Sequence, residues 1–364
     1  MEFLQHINHI LFLISGLILL VYYLHYLLAL NFRPKSNHKE PSYPAVSVII
    51  AYKNEYQNLK FHLDHWLAQD YPEFEIVLVN DHSVDEGPEY LKFRELDKLK
   101  LLDLKKGSGK KAAVNLGVSE AEHEFLLLTD ADCKPMSSQW IKEMLRPLIE
   151  EKQIVVGYSG FYAKLSLLNL IQRYENCVNA LQNAAMIRRG RAYMAVGRNM
   201  AYQAKLMVDL DNRSSISVRS GDDDLLVNQL SKAGNTEFVG QIEAQTISEA
   251  TANWKRYFFQ RRRQLEAGKF YKTADRIKLA MLGISQLLFN LLFIKHLLTM
   301  EYLSIILSIF VIKLILQLLI SYQPMKRLGE VDLWWQSPIL EIIYLPIISL
   351  IGISQYLYKV DRWK

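Results

Sequence analysis

The sequence predicts an α/β domain, a mostly parallel sheet with helices on both faces, set between membrane-crossing helices at both ends of the chain. Three observations carry this expectation. Apolar runs crowd the two ends, while the charged residues collect between them. Inside that polar middle, short β-branched runs alternate with stretches of helical spacing. Acidic residues fall where several of those runs end, at the edge where parallel sheets bind ligands.

Composition narrows the function. The chain has 364 residues, enough for one large domain and further elements. Its net charge of +5 arises from 43 basic and 38 acidic side chains, a balance too even for a nucleic-acid partner. Lys and Arg gather beside the apolar runs instead, as an anionic membrane surface favours. With 2 cysteines, Cys133 and Cys177, a disulfide framework and a four-cysteine metal site are both excluded. Both cysteines read as buried packing residues, and the histidines show no metal-ligand spacing.

Residues 1–32 read as an anchor, since Ile7–Leu30 is apolar for long enough to cross roughly 30 Å of hydrocarbon as a helix. A signal peptide would begin basic, and this start is Met1-Glu2. Arg33, Lys35 and Lys39 follow, so the positive-inside rule places the next domain in the cytoplasm, at the inner membrane of the cell. Residues 33–44, with Pro34, Pro41 and Pro44, form a linker. The domain proper covers 45–252. Its strands are expected at Val46–Ala51, Glu75–Asn80, Leu99–Leu104 and Glu124–Thr129, and its helices at Gln57–Ala68, from about Glu89, and at Lys111–Ser119. Residues 253–276 hold an amphipathic interface helix, Trp254 to Gln264, expected to turn its arginines toward lipid phosphate. Two or three spans are expected in 277–364, near Leu279–Leu298, Leu303–Tyr322 and Ile339–Leu357. The last run contains Glu341 and Pro346 and precedes Lys359, Arg362 and Lys364, so a re-entrant or interfacial course competes with a full crossing.

Four acidic sites stand out. Asp81 follows the Glu-Ile-Val-Leu-Val strand, and Asp130-Ala-Asp132 follows Phe-Leu-Leu-Leu. Two carboxylates spaced i, i+2 at a strand exit converge on one divalent cation, Mg²⁺ or Mn²⁺, which bridges to a diphosphate. Solvated turn aspartates are the plain alternative for either site taken alone. Asp222-Asp-Asp224 opens a helix, where acids are favoured by the macrodipole, yet three adjacent carboxylates also suit a general base. Glu55, after Ala51-Tyr52, holds a nucleotide or caps the next helix. Gly107-Ser-Gly-Lys110 is no Walker A loop, because Leu104 and Lys111 stand where Gly and Ser or Thr are required; Lys110 still suits a phosphate contact.

In this order the sites resemble the family-2 glycosyltransferases, in the membrane branch that holds cellulose, chitin and hyaluronan synthases and ceramide glucosyltransferases. The resemblance runs from about Val46 to Gln264. It implies a GT-A-like, Rossmann-type sheet, a nucleotide-sugar donor, UDP-sugar being usual, and an inverting transfer. Ser47 to Glu55 is similar to the opening nucleotide-binding strand, which implies donor contacts from Ala51, Tyr52 and Glu55. Asp81 and Lys110 join that donor set, and Asp130 and Asp132 match the metal-binding pair. Val196 to Tyr202 resembles the acceptor-side segment, which implies acceptor roles for Gly197, Arg198 and Asn199. Gly221-Asp-Asp223 makes Asp223 the implied catalytic base, with Asp222 on the acceptor side. Gln260 and Arg263 match a Gln-x-x-Arg-Trp motif, for acceptor and donor respectively, but Gln264 replaces its Trp.

That departure and the few spans favour a lipid or short glycan acceptor over a processive polysaccharide synthase. Protein partners from a glycan assembly or export system are compatible with either. A nucleotidyltransferase would need a Gly-rich loop after the first strand, and Ala51 to Glu55 has none. The rival from another class is a catalytically silent membrane scaffold with a nucleotide-binding fold.

Overall fold

A computed structural model describes residues 2–30, 43–94, 97–190, 192–206 and 222–357. The chain divides into two compact units: Pro34–Tyr162 with Met186–Ala250, and Met1–Arg33 with Ala163–Ala185 and Thr251–Lys364.

The first unit is built on β1 (Val46–Tyr52), β2 (Phe74–Asn80), β3 (Leu99–Asp103), β4 (Phe125–Leu128), β6 (Ile154–Gly157), β8 (Met200–Gln203) and β9 (Thr236–Val239). They form a seven-stranded sheet in the order β3-β2-β1-β4-β8-β6-β9. β2 is buried along its whole length, because a parallel strand with helices on both faces has no wet side and so reads as one apolar run. Alternation sorts the side chains. Val46, Val48 and Ile50 pack with Leu59, Leu63 and Trp66 of α2 (Tyr56–Leu67) and with Trp140, Met144 and Leu145 of α5 (Trp140–Ile149). Ile49, Val77, Val79, Leu126 and Leu128 face the other way, onto Ala113 of α4 (Lys110–Glu120) and Val227 and Leu230 of α7 (Asp222–Leu230). Helices therefore cover both faces, as the sequence predicts, with the short α3 (Gly87–Lys92) following β2.

The sheet departs from a purely parallel one at β8, which runs antiparallel to both β4 and β6. Its register pairs Met200 with Leu128, so the residues just before β8 arrive at the carboxyl end of β4. A small second sheet, β5 (Lys134–Pro135), β10 (Thr246–Ser248) and β7 (Ser159–Phe161), lies in the same unit.

The second unit holds α1 (Glu2–Leu30), α6 (Leu167–Arg188, to residue 185), α8 (Trp254–Ala267), α9 (Thr273–Thr299), α10 (Leu303–Arg327) and α11 (Ser337–Leu357). Among the described residues α1, α9, α10 and α11 each contain a stretch long and apolar enough to cross a membrane. α11 continues through Pro346 as one helix. Its Glu341 is buried and satisfied. Lys313 donates to its Oε1 at 2.9 Å, while Gln317 and the Tyr23 hydroxyl donate to its Oε2 at 2.9 and 2.7 Å. Intramembrane charges occur in such paired, inward arrangements.

α8 corrects another expectation. Its arginines do not all face outward: Arg261 pairs with the buried Glu175 of α6 at 2.6 Å, and Arg262 is only 3% exposed. Glu175 also accepts from the hydroxyls of Tyr257 and Tyr344. A buried carboxylate demands such partners, and that demand outweighs the pull of lipid phosphate on Arg261. Trp254 and Phe259 are exposed on the helix together with Lys255, Arg256, Gln260 and Glu266. The same helix α6 carries Arg173, which reaches Glu330 and Asp332 through four hydrogen bonds of 2.6–2.9 Å. Residues 33–42 of the expected linker and the basic residues after 357 lie outside the described residues.

Candidate active site

Parallel pairing of β1, β2 and β4 brings their carboxyl ends to one edge, and β8 begins there. Asp81 anchors that edge. Its N–H donates to the Tyr52 carbonyl at 2.9 Å, and its carboxylate accepts from the Gly109 N–H at 3.0 Å and from Lys53 at 3.5 Å. His82, at a left-handed φ of 56°, lies 3.1 Å from the other oxygen. Burial pushes Asp81 up, but His82, the Gly109 amide and Lys53 together hold its carboxyl below the usual range. The Gly107-Ser-Gly loop thus spends an amide on Asp81, with Gly109 at φ 96° making the turn.

A depressed folded pKa lends stability that is complete above the unfolded value of about 3.9 and is lost as pH falls through the folded value. Asp81→Asn is accordingly expected to cost about 1–3 kcal/mol at pH 7. The melting-temperature gap to wild type should hold above about pH 4 and narrow as pH falls below it; a gap independent of pH would contradict the assignment.

Lys110 opens α4 and pairs with Asp130 Oδ1 at 2.6 Å. Desolvation lowers the pKa of its ammonium, but the Asp130 and then the Asp223 carboxylates outweigh this and raise it above the ordinary value. One cation therefore feels both the Asp-x-Asp segment and the first turn of α7. Asp132 is pushed up, first by burial and then by Asp130, with Arg198 opposing. Glu55 is raised by burial and, more weakly, by Asp132 and Asp130, against a hydrogen bond from Asn58. Crowded carboxylates with a lysine already drawn to them are a donor set suited to a divalent cation.

Gly197 and Asp223 meet closely. A Cβ at position 197 would lie 1.9 Å from Asp223 Oδ2, a distance that no side chain tolerates. The neighbouring Asp224 Oδ1 accepts from the Ala195 N–H at 3.2 Å, so it secures the loop against which Asp223 rests. Gly197→Ala is expected to displace Asp223 and lower any activity that depends on it by about a hundredfold, with folding retained. Rate measurement alongside a melting curve checks this; an unchanged rate would remove Asp223 from the chemistry.

Asn199 is fully buried, and its amide is wholly engaged: Nδ2 donates to the Tyr158 and Ala244 carbonyls at 2.8 Å each, and Oδ1 accepts from Trp140 Nε1 at 3.0 Å. Both amide hydrogens are thus committed to backbone carbonyls, so neither is left to donate to the acceptor that the motif implies. Arg198 donates to Ser248 at 3.0 Å and lies over the Phe161 ring at 4.4 Å, near enough to Asp132 to oppose its rise in pKa. Tyr52 is likewise turned into the core, and its carbonyl is taken by Asp81. Ala51, half-buried, faces the opposite side of the sheet.

The structure thus brings Glu55, Asp81, Lys110, Asp130, Asp132, Gly197, Arg198 and Asp223 to one edge of one unit. Asp222 starts α7, and its side chain lies outside the described residues, as does Gly221. Gln260, exposed, and Arg263, half-buried, belong to α8 in the other unit, so their acceptor and donor roles stand on the motif alone. Sequence reasoning gave no role to Lys53 or His82, whose only signal is adjacency to a singled-out aspartate or strand end, and it did not separate Asp224 from its two acidic neighbours. Cys133 and Cys177 are free and buried, as expected of packing residues.

Residues 47–206 match the family described as Glycosyl transferase family 2. A poly-β-1,6-N-acetyl-D-glucosamine synthase of Staphylococcus epidermidis is 33% identical over 99 residues, 27% of this chain and 24% of its own. Its counterpart in Staphylococcus aureus strain COL is 30% identical over 105 residues, 29% of this chain. The matched stretch spans about a quarter of these curated relatives, 24% and 25%. Among solved structures, a mannosyltransferase of Pyrobaculum calidifontis in complex with GDP-Man and Mn²⁺ superposes with a TM-score of 0.59, at 17% identity, over 95% of this chain and 99% of its own. At that identity the likeness shows the fold, which is the GT-A architecture expected from the motifs. The order of the strands and the acidic edge they build agree with that match, which places the Glycosyl transferase family 2 likeness in residues 47–206.

Proposed function

We propose that the protein transfers a sugar from a nucleotide-sugar donor, a UDP-sugar in the first instance, to a membrane-associated acceptor, by a single displacement that inverts the anomeric carbon. The observation that carries this reading is Lys110, bonded to Asp130 at 2.6 Å and shifted by Asp223, which ties the Asp-x-Asp segment and the candidate base into one electrostatic site. Asp223, held against Gly197, takes the proton of the attacking hydroxyl. Glu55 and Asp81 line the nucleotide side, and Lys110 faces the phosphates. Asp130 and Asp132 are the residues to hold Mg²⁺ or Mn²⁺, which when bound offsets the charge of the departing diphosphate. One base and one displacement turn an α-linked donor into a β-linked product. The catalytic unit lies in the cytoplasm and the apolar helices sit in the inner membrane, which follows from the Lys and Arg beside α1.

A lipid or short glycan is the acceptor favoured by the absent Trp at Gln264. The relatives named as poly-β-1,6-N-acetyl-D-glucosamine synthases favour a second reading, a growing polysaccharide made together with partners of glycan assembly or export. The test is nucleotide release from a panel of nucleotide sugars by membranes holding the protein, with Mn²⁺ or EDTA and extracted lipids. Consumption of one donor, dependent on metal, supports the transferase, and the length distribution of the labelled product separates the two acceptors. Metal-dependent nucleotide binding without turnover would favour a silent scaffold.

A further inference from the structure

The unit that holds the apolar helices contains a second set of metal-ligating side chains, far in chemistry from the carboxylates of the sheet edge. His9 near the start of α1, His296 in the last turn of α9 and Glu301 just beyond it each offer one ligand atom, and these atoms lie within 4.8 Å of one another. The two imidazole rings stack with centroids 4.4 Å apart, and Tyr302 closes edge-on against His9 at 4.7 Å. His296 is 0% exposed, and neither of its ring nitrogens meets a hydrogen-bond partner; Nε2 of His9 is also buried and unmet. Glu301 Oε2 stands 4.0 Å from His296 Nδ1.

Burial of unmet polar atoms is costly, and native proteins retain it where an ion, a water or chemistry accounts for it. Packing alone gives no reason for it here. Phe12 and Phe289 fill the adjacent layer by stacking at 4.5 Å, and an apolar side chain at position 296 would continue that layer with no unmet nitrogen.

We propose that His9, His296 and Glu301 form a binding site for a transition-metal cation of the Zn²⁺ class. Two imidazoles and a carboxylate are a ligand set of that metal, and three protein ligands leave a fourth position for water or an anionic group. Tetrahedral ligands at about 2.1 Å from the ion stand about 3.4 Å apart, within reach of side-chain rotation from the present spacing. All three residues lie toward helix ends, His9 near the start of α1 and the others at the α9–α10 connection. A bound ion would clamp α1 to that connection. The Asp130 and Asp132 pair, all oxygen, suits Mg²⁺ or Mn²⁺ instead, and the two sites do not compete for one metal.

The test uses the full chain in detergent micelles, without a polyhistidine tag, carrying Asp130→Asn and Asp132→Asn to silence the other site. The protein is stripped with EDTA and titrated with Co²⁺. The expected result is one Co²⁺ per chain, with the visible absorption of a low-coordinate nitrogen-ligated ion that Zn²⁺ erases. Both His9→Ala and His296→Ala should weaken binding by at least about tenfold. Size-exclusion profile and melting temperature certify each variant, and if His296→Ala fails to fold, His9→Ala at the half-buried position decides alone. No saturable Co²⁺ uptake, or uptake that His9→Ala leaves unchanged, overturns the proposal.

Discussion

Asp223→Asn is expected to reduce sugar transfer by about 10²–10⁴-fold while leaving donor binding intact. The asparagine keeps the shape that rests against Gly197, so the substitution removes proton acceptance and little else. In kinetic terms kcat should fall with KM for the donor nearly unchanged, the sign of an interaction made in the transition state. Initial rates of nucleotide release, paired with donor affinity by equilibrium binding, measure both quantities. A variant within tenfold of wild type would leave Asp223 without the role of base. Gly197→Ala then becomes the informative companion, since it moves the carboxylate without removing it.

The second large effect is expected from Asp130→Asn combined with Asp132→Asn, a loss of about 10²–10³-fold. These carboxylates are crowded: burial and Asp130 drive Asp132 up, and Lys110 already sits on Asp130. Added cation relieves that repulsion and supplies charge where the diphosphate leaves. EDTA should therefore bring wild type down to the level of the double variant and have no further effect on the variant itself. Mn²⁺ titration of both proteins reads this directly. Retained, EDTA-sensitive turnover in the double variant would place the metal elsewhere.

The positions of the first four strands were legible to within a residue or so, because β1, β2 and β4, covered on both faces, read as mostly apolar runs, and the edge strand β3 keeps three leucines among its five residues. Glu75–Asn80 became Phe74–Asn80 and Leu99–Leu104 became Leu99–Asp103. The reversal at β8 was not legible, since four residues such as Met200–Gln203 carry no sign of direction; only the register with Leu128 gives it. In the site, the aspartates announced themselves and their division of labour did not. Asp223 and Asp224 are neighbours of identical chemistry, and one binds a loop amide while the other meets a glycine. Asn199 looked like a ligand contact because a buried amide between two sheets and an exposed one at a strand entry share the same letters. The arginines of α8 misled for a related reason. Their partner Glu175 is remote in sequence, and a charge run reads as a wet face unless its counter-charge is known.

The network of Lys313, Gln317, Glu341 and Tyr23 has a consequence for biogenesis. α10 leaves the ribosome before α11 does, carrying an ammonium near its middle for which the translocon scale charges about 2.5–3.5 kcal/mol. Its neutralising carboxylate is 28 residues downstream, on a helix not yet made. The two helices should therefore pass into lipid as a hairpin, held at the lateral gate until Glu341 arrives. Glu341→Leu, a change that makes α11 itself more apolar, should on this account impair the insertion of α10, the helix it does not touch in sequence.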